Sequence, residues 1–175
     1  MTDLVLPELV IDVTPTFVVA SAIATRDFQD VHHDRDRAVE RGSKDIFINI
    51  LTTTGLVQRY VTDWAGPEAL VRKVAIRLGV PCYAGDTLTF SGRAATGTAD
   101  GEVEVTVTGR CSLGDHVTGT VRVVLPSGNE ELGSSMYQRA PSMRPEGTSI
   151  QSAGEVAAAG EVAAAEVADA AGETA

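Results

Sequence analysis

The sequence predicts an α+β domain in which one long apolar helix is followed by antiparallel strands. Two observations carry this. The segment "DIFINILTTTGLVQRYVTDWAG" places Ile46, Ile50, Val57, Val61 and Trp64 at helical spacing, with Phe47, Leu51, Leu56 and Tyr60 beside them. Beyond it the apolar period changes to two, and short runs end at Gly and Asp turns.

The elements follow in order. "LVIDV" (9–13) reads as a short strand before Pro15. "PTFVVASAIATRDF" becomes Ala-rich and reads as a helix from about Thr16 to Asp27. Asp36 to Glu40 is a helical turn that Gly42 ends. The long helix is expected to start at a Ser43 or Asp45 cap and to stop at Gly66-Pro67. Its span of about 20 residues would measure roughly 30 Å. Its first half is apolar on almost every side, which predicts a helix enclosed by protein. Thr52-Thr53-Thr54 is a poor helix sequence, so tertiary burial has to hold it. Four strand runs follow, marked by Val74/Ile76/Leu78, Leu88/Phe90, Val103/Val105/Val107 and Val117/Val121/Val123. One polar face per strand means an antiparallel sheet with a solvated outer side. A sheet curled around one long helix is the hot-dog arrangement. An open sheet edge is expected to continue into a sister subunit, so an oligomer is expected.

The composition narrows the function. The 175 residues carry a formal net charge of -10, which excludes the broad basic face of a nucleic-acid binder. No apolar run reaches membrane-spanning length. The N-terminus "MTDLVLPELV" lacks the positive charge of a secretory signal. A reduced, cytoplasmic protein is therefore expected, with Cys82 and Cys111 as small buried hydrophobes. Composition shifts after residue 126, and "GEVAAA" repeats from 154 and 160. The expected division is a domain over 1–127, an extension over 128–145, and an Ala/Glu-rich, disordered tail over 146–175.

One stretch stands out for chemistry. "RDFQDVHHDRD" (26–36) contains two of the three histidines. Adjacent histidines in an extended loop point apart, and no second Cys/His cluster is visible elsewhere, so no metal is expected there. The dipeptide His33-Asp34 lacks the further helical His and Asp residues that phosphohydrolase chemistry needs. A solvated charged loop is the bland reading. The acid/base reading pairs Asp27 with His32: a carboxylate and an imidazole five residues apart can grip one water, and the imidazole trades protons near neutral pH. The helix start that follows offers free N–H groups to a developing oxyanion.

"DFQDVHHD" (27–34) resembles the Asp-x-Asn-Pro-x-His-x-Asp signature of MaoC-like (R)-specific enoyl-CoA hydratases, which have the hot-dog fold. With "GSKDIF", "GLVQRYVTDWAGP", "RLGVP", "DTLTFSG" and "LGDHVT", the chain resembles the small MaoC-like subunits of bacterial steroid side-chain enoyl-CoA hydratases. The resemblance covers residues 1 to about 126. It implies that Asp27 and His32 are catalytic, with Asp34 as the trailing, supporting acid. It implies an oxyanion and substrate-binding site at Ile48 and Asn49, where the family's His-Gly falls. Gln29 and Asp30 replace the family's Asn and Pro. The implied substrate is a steroid enoyl-CoA, with coenzyme A part of the substrate and no cofactor or metal. The implied partner is a second MaoC-like chain with an OB-like (DUF35-type) domain, in a two-plus-two heterotetramer. Through it a thiolase-like retro-aldolase would receive the product.

The rival readings are a hot-dog thioesterase, an acyl-carrier-protein dehydratase and a non-catalytic partner subunit. The first two want a carboxylate on the central helix, and none lies between Ile46 and Thr62. His33 is expected at the surface or an interface, His116 at a strand end, and Tyr60 and Trp64 in helix packing. Arg72, Lys73, Arg77, Arg93 and Arg110 are candidates for the CoA phosphates.

Overall fold

A computed structural model describes residues 3–95 and 102–125. The expected domain end at 127, the extension and the tail lie outside the described residues.

The chain opens with β1 (Asp3–Val13), then α1 (Pro15–Ala24), a 3-10 turn (Asp30–His32), α2 (Arg35–Glu40) and α3 (Ile50–Ala65). Four strands follow: β2 (Leu70–Leu78), β3 (Asp86–Ala95), β4 (Glu102–Cys111) and β5 (Gly114–Val124). All pair antiparallel, in the order β1-β3-β4-β5-β2. Only β3, β4 and β5 form a meander. β2 adds to the far side of β5, so β1 and β2 are the two edges. Pro7 is tolerated in β1 because an edge strand has one unpaired side, and the register slips there between Leu6 and Leu9.

The strand pattern holds in β3, β4 and β5, while in β2 Val74 and Ile76 are only half-buried and Leu78 is exposed. Leu88, Phe90, Val105, Val107, Val121 and Val123 are buried, and Thr106 and Arg122 between them are exposed. α3 packs on the apolar face through Thr53, Leu56, Val57, Tyr60 and Val61. Tyr60 stacks on Phe90 with ring centroids 5.8 Å apart. That approach needs Gly92, where an added Cβ would lie 2.7 Å from Thr106 O and 3.0 Å from Tyr60 Cε1. The hot-dog arrangement is thus present: one long helix on one face of a five-stranded antiparallel sheet.

Three expectations need correction. α3 starts at Ile50, not near Asp45, and has 16 residues, a length of about 24 Å. Its cap is Asn49, whose Oδ1 accepts the Thr52 N–H at 2.8 Å. Ser43 and Asp45 instead bond within their own loop. Residues 46–48 are extended because they pair with 82–84: Ile48 N–H donates to Cys82 O at 3.1 Å and Ala84 N–H to Ile46 O at 3.0 Å. Finally, the first turn of α3 is not enclosed by this chain, since Ile50 is 51% exposed and Leu51 52%.

Candidate active site

The end of α1 delivers Asp27. Arg26 N–H bonds Ile23 O at 3.0 Å, and Asp27 N–H bonds Ala22 O at 2.9 Å. This is a Schellman turn, which needs a left-handed residue. Arg26 fills that place at φ 57, the only positive φ outside glycine among the described residues. A side chain there costs roughly 1–2 kcal/mol relative to the right-handed form. The turn reverses the chain and sets the Asp27 carboxylate beside the start of α3. α1 therefore ends at Ala24, short of the expected Asp27.

The 3-10 turn brings in His32. It is held from outside by the Arg41–Asp30 ion pair at 2.9 Å. His32 is buried and its ring packs edge-on against Phe47 at 4.8 Å. His32 Nδ1 lies 2.7 Å from Phe47 O. A carbonyl only accepts, so Nδ1 carries the proton and the neutral ring leaves Nε2 bare. Nε2 faces Asp27 Oδ2 across 3.6 Å. That is too long for a direct hydrogen bond, and a water can contact both acceptors across such a gap.

Asn49 completes the group through its side chain. Its amide nitrogen donates to Asp27 Oδ2 at 3.0 Å and to Thr25 Oγ1 at 2.8 Å, while its oxygen caps α3. Every hydrogen-bonding atom of the amide has a partner, which fixes its orientation. Asp27 Oδ1 accepts from Gln29 N–H at 3.3 Å. The pair thus meets at the amino end of α3, where Ile50 and Leu51 have no intrahelical acceptor for their N–H groups. The Thr52 hydroxyl, also in this first turn, is buried with no hydrogen-bond partner among the described residues.

The structure brings together Asp27, His32 and Asn49. It does not bring Asp34 into the pair: the Asp34 carboxylate caps α2 by accepting Arg37 N–H at 3.1 Å. Nor can Ile48 serve an oxyanion, because its N–H is bonded to Cys82 O. His33 turns away from His32, is exposed, and has Nε2 3.2 Å from Phe28 O. Arg72, Lys73, Arg77 and Arg93 are exposed on the sheet, and Arg110 is paired with Asp115 at 2.8 Å. The Asn49 amide and the Phe47 carbonyl were missed by sequence reasoning. A capping residue directly before the apolar Ile50-Leu51 was the available signal for Asn49. A carbonyl leaves no mark in a sequence.

His116 lies on β5, and its buried ring bridges two elements. Nδ1 is 2.7 Å from Val80 O, and Nε2 is 2.9 Å from Thr53 Oγ1 on α3. Burial lowers its pKa below the ordinary 6.5, against the opposing pull of the Val80 carbonyl. Burial also pushes the Cys82 thiol up to about 12, with Cys111 and Asp86 adding to the shift. Such a thiol is no nucleophile at neutral pH.

The 3-oxo-4,17-pregnadiene-20-carboxyl-CoA hydratase beta subunit of Mycobacterium tuberculosis is 66% identical over 119 residues, 68% of this chain and 92% of that protein. The chain belongs to that hydratase beta-subunit family. Its structure matches a chain of the ChsH1-ChsH2 complex from Mycobacterium tuberculosis with a TM-score of 0.67 and 65% identity, covering 70% of this chain and 95% of that one. The (R)-hydratase of A. caviae involved in PHA biosynthesis matches with a TM-score of 0.64 over 71% of this chain and 95% of its own. At 19% identity it shows the shared fold alone. No protein-family model matches the chain. Among the described residues, no helix is long and apolar enough to cross a membrane.

Proposed function

We propose that this chain is the water-activating subunit of a steroid enoyl-CoA hydratase. It adds water across the side-chain double bond of a substrate of the 3-oxo-4,17-pregnadiene-20-carboxyl-CoA type. The observation that carries this is the span of 3.6 Å between the bare Nε2 of His32 and Oδ2 of Asp27, beside the start of α3. The name of the beta-subunit relative supports the substrate class.

A water in that span donates one hydrogen to His32 Nε2 and the other to Asp27 Oδ2. Its lone pairs then point away from both acceptors, toward a β-carbon placed over them. As oxygen attacks, one water proton passes to the pair, and the pair returns a proton to the α-carbon, so one water is added in all. Asp27 and His32 act as one coupled acid–base unit. The thioester oxygen gains negative charge during attack. It is held by main-chain N–H groups at the start of α3, that of Asn49 included, and by the positive end of the helix dipole. No redox cofactor or metal enters the reaction, and coenzyme A is part of the substrate.

The ChsH1-ChsH2 match supports assembly with a second MaoC-like chain. The half-exposed Ile50 and Leu51 need such a cover or the steroid itself. An OB-like (DUF35-type) domain on that partner, a thiolase-like retro-aldolase beyond it, and a cytoplasmic site of action complete the reading. A thioesterase is disfavoured, because the only α3 carboxylate is Asp63, exposed near the far end and paired with Arg59. The test is hydration by the reconstituted complex carrying Asp27→Asn or His32→Ala. Each change is expected to lower turnover by at least about 100-fold with assembly intact. Near-normal turnover would identify a scaffold subunit instead.

A further inference from the structure

The sequence shows no second Cys/His cluster because Cys111 lies far along the chain from Cys82 and Asp86. Folding assembles one. Cys82 follows β2, Asp86 opens β3 and Cys111 ends β4, and one ligand atom from each lies within 4.8 Å of the other two. Both cysteines are buried and reduced. The position is more specific than two small core residues require.

The carboxylate is already oriented. Asp86 Oδ2 accepts the Ser112 hydroxyl at 2.6 Å, and Oδ1 accepts Thr87 N–H at 2.7 Å. The Ser112 N–H reaches both oxygens at 3.3 Å. Supporting bonds of this kind fix the aim of a ligating carboxylate. Asp86 is only partly buried, so the cluster meets solvent on the carboxylate's side.

We propose that Cys82, Asp86 and Cys111 bind one divalent cation of the zinc class. Ligand atoms around a tetrahedral zinc stand about 3.5–3.8 Å apart, given metal–ligand lengths of about 2.0–2.3 Å. The present cluster needs only a small contraction to reach this. Two thiol sulfurs select a soft cation over magnesium or calcium. Three protein ligands leave the fourth position to a water. On binding, each thiol gives up its proton to solvent and the two thiolates coordinate the cation, with no change of oxidation state. The cation clamps three stretches of chain. One of them, 82–84, pairs with 46–48, the segment that carries His32's carbonyl partner. The role is structural and lies outside the hydration step.

The experiment is titration of the reduced full chain with cadmium, followed by its thiolate-to-metal charge-transfer absorption. The chain has two cysteines in all, so the band reports this cluster alone. The expected result is a band that saturates at one cadmium per chain, is displaced by zinc, and disappears in Cys111→Ser. Ser112→Ala, which keeps all three ligands, should bind about 10-fold or more weakly. Asp86→Asn guards against misfolding of the cysteine variant and should also bind more weakly than the wild type. An absent band, a band that survives Cys111→Ser, or wild-type affinity in Asp86→Asn would overturn the site.

Discussion

Two buried histidines show how one fold uses the same side chain in two ways. His32 and His116 each place Nδ1 2.7 Å from a main-chain carbonyl, so each has its tautomer set by the backbone. They differ at Nε2. That of His116 meets the Thr53 hydroxyl at 2.9 Å, a closed contact between β5 and α3. That of His32 faces a carboxylate across a gap too wide for a direct bond. The Thr53 hydroxyl also lies 3.0 Å from the Asn49 carbonyl, so its contact with His116 is a cross-brace between β5 and the start of α3. His32 is left with an unfilled acceptor beside a second acceptor, which is what binding a water requires. What the far nitrogen meets, rather than burial, separates chemistry from support.

The contrast breaks most sharply at Asn49, which belongs to the open pair. Asn49→Ala removes a hydrogen bond to the Asp27 carboxylate, which is expected to cost about 10-fold or more in kcat. It also removes the α3 cap, at about 1 kcal/mol of stability. Asn49→Asp keeps a capping oxygen but sets a second carboxylate against Asp27. Denaturant melts should show no more than part of the stability regained, because the paired carboxylates oppose the restored cap, and steady-state assays should show turnover still depressed.

His116 should behave in the opposite way. His116→Gln leaves turnover per folded molecule within about threefold, yet lowers stability by about 1–3 kcal/mol through broken buried bonds. Its pH signature is also distinct. Because the folded pKa lies below the ordinary 6.5, the unfolded chain takes up the proton first as pH falls. The neutral ring's contribution is therefore complete above pH 6.5 and is lost as pH drops from there through the folded value. Stability curves against pH should be flatter over that range in His116→Gln than in the wild type.

The strands were legible because a half-buried strand writes its two faces into alternate residues, as Val103, Val105 and Val107 do. The approach of Asp27 to His32 was legible because the two are close in sequence and chemically distinctive. The start of α3 was not. Phe47 and Ile48 suit a helix as well as a strand, and only the distant pairing with Cys82 and Ala84 makes them extended. The same pairing takes up the Ile48 N–H. It also leaves Phe47 O to set the His32 tautomer, a contact between residues 15 apart in sequence. Strand order was hidden for the same reason, since β2 could have joined either edge.

The smallest expected effect concerns Thr52. Its hydroxyl is a buried group without a partner among the described residues, so Thr52→Val should leave the melting free energy of the isolated chain unchanged or up to about 1 kcal/mol higher.

If Asp27 and His32 hold one water between them, a double-mutant cycle in the reconstituted complex reveals it. Turnover of the reconstituted complex would be compared for Asp27→Asn, His32→Ala and the two together. Residues that act as a unit lose nearly everything at the first change. The double variant is therefore expected within about threefold of the slower single variant. Losses that multiply would mean that the two side chains act on separate steps, and would contradict the shared water.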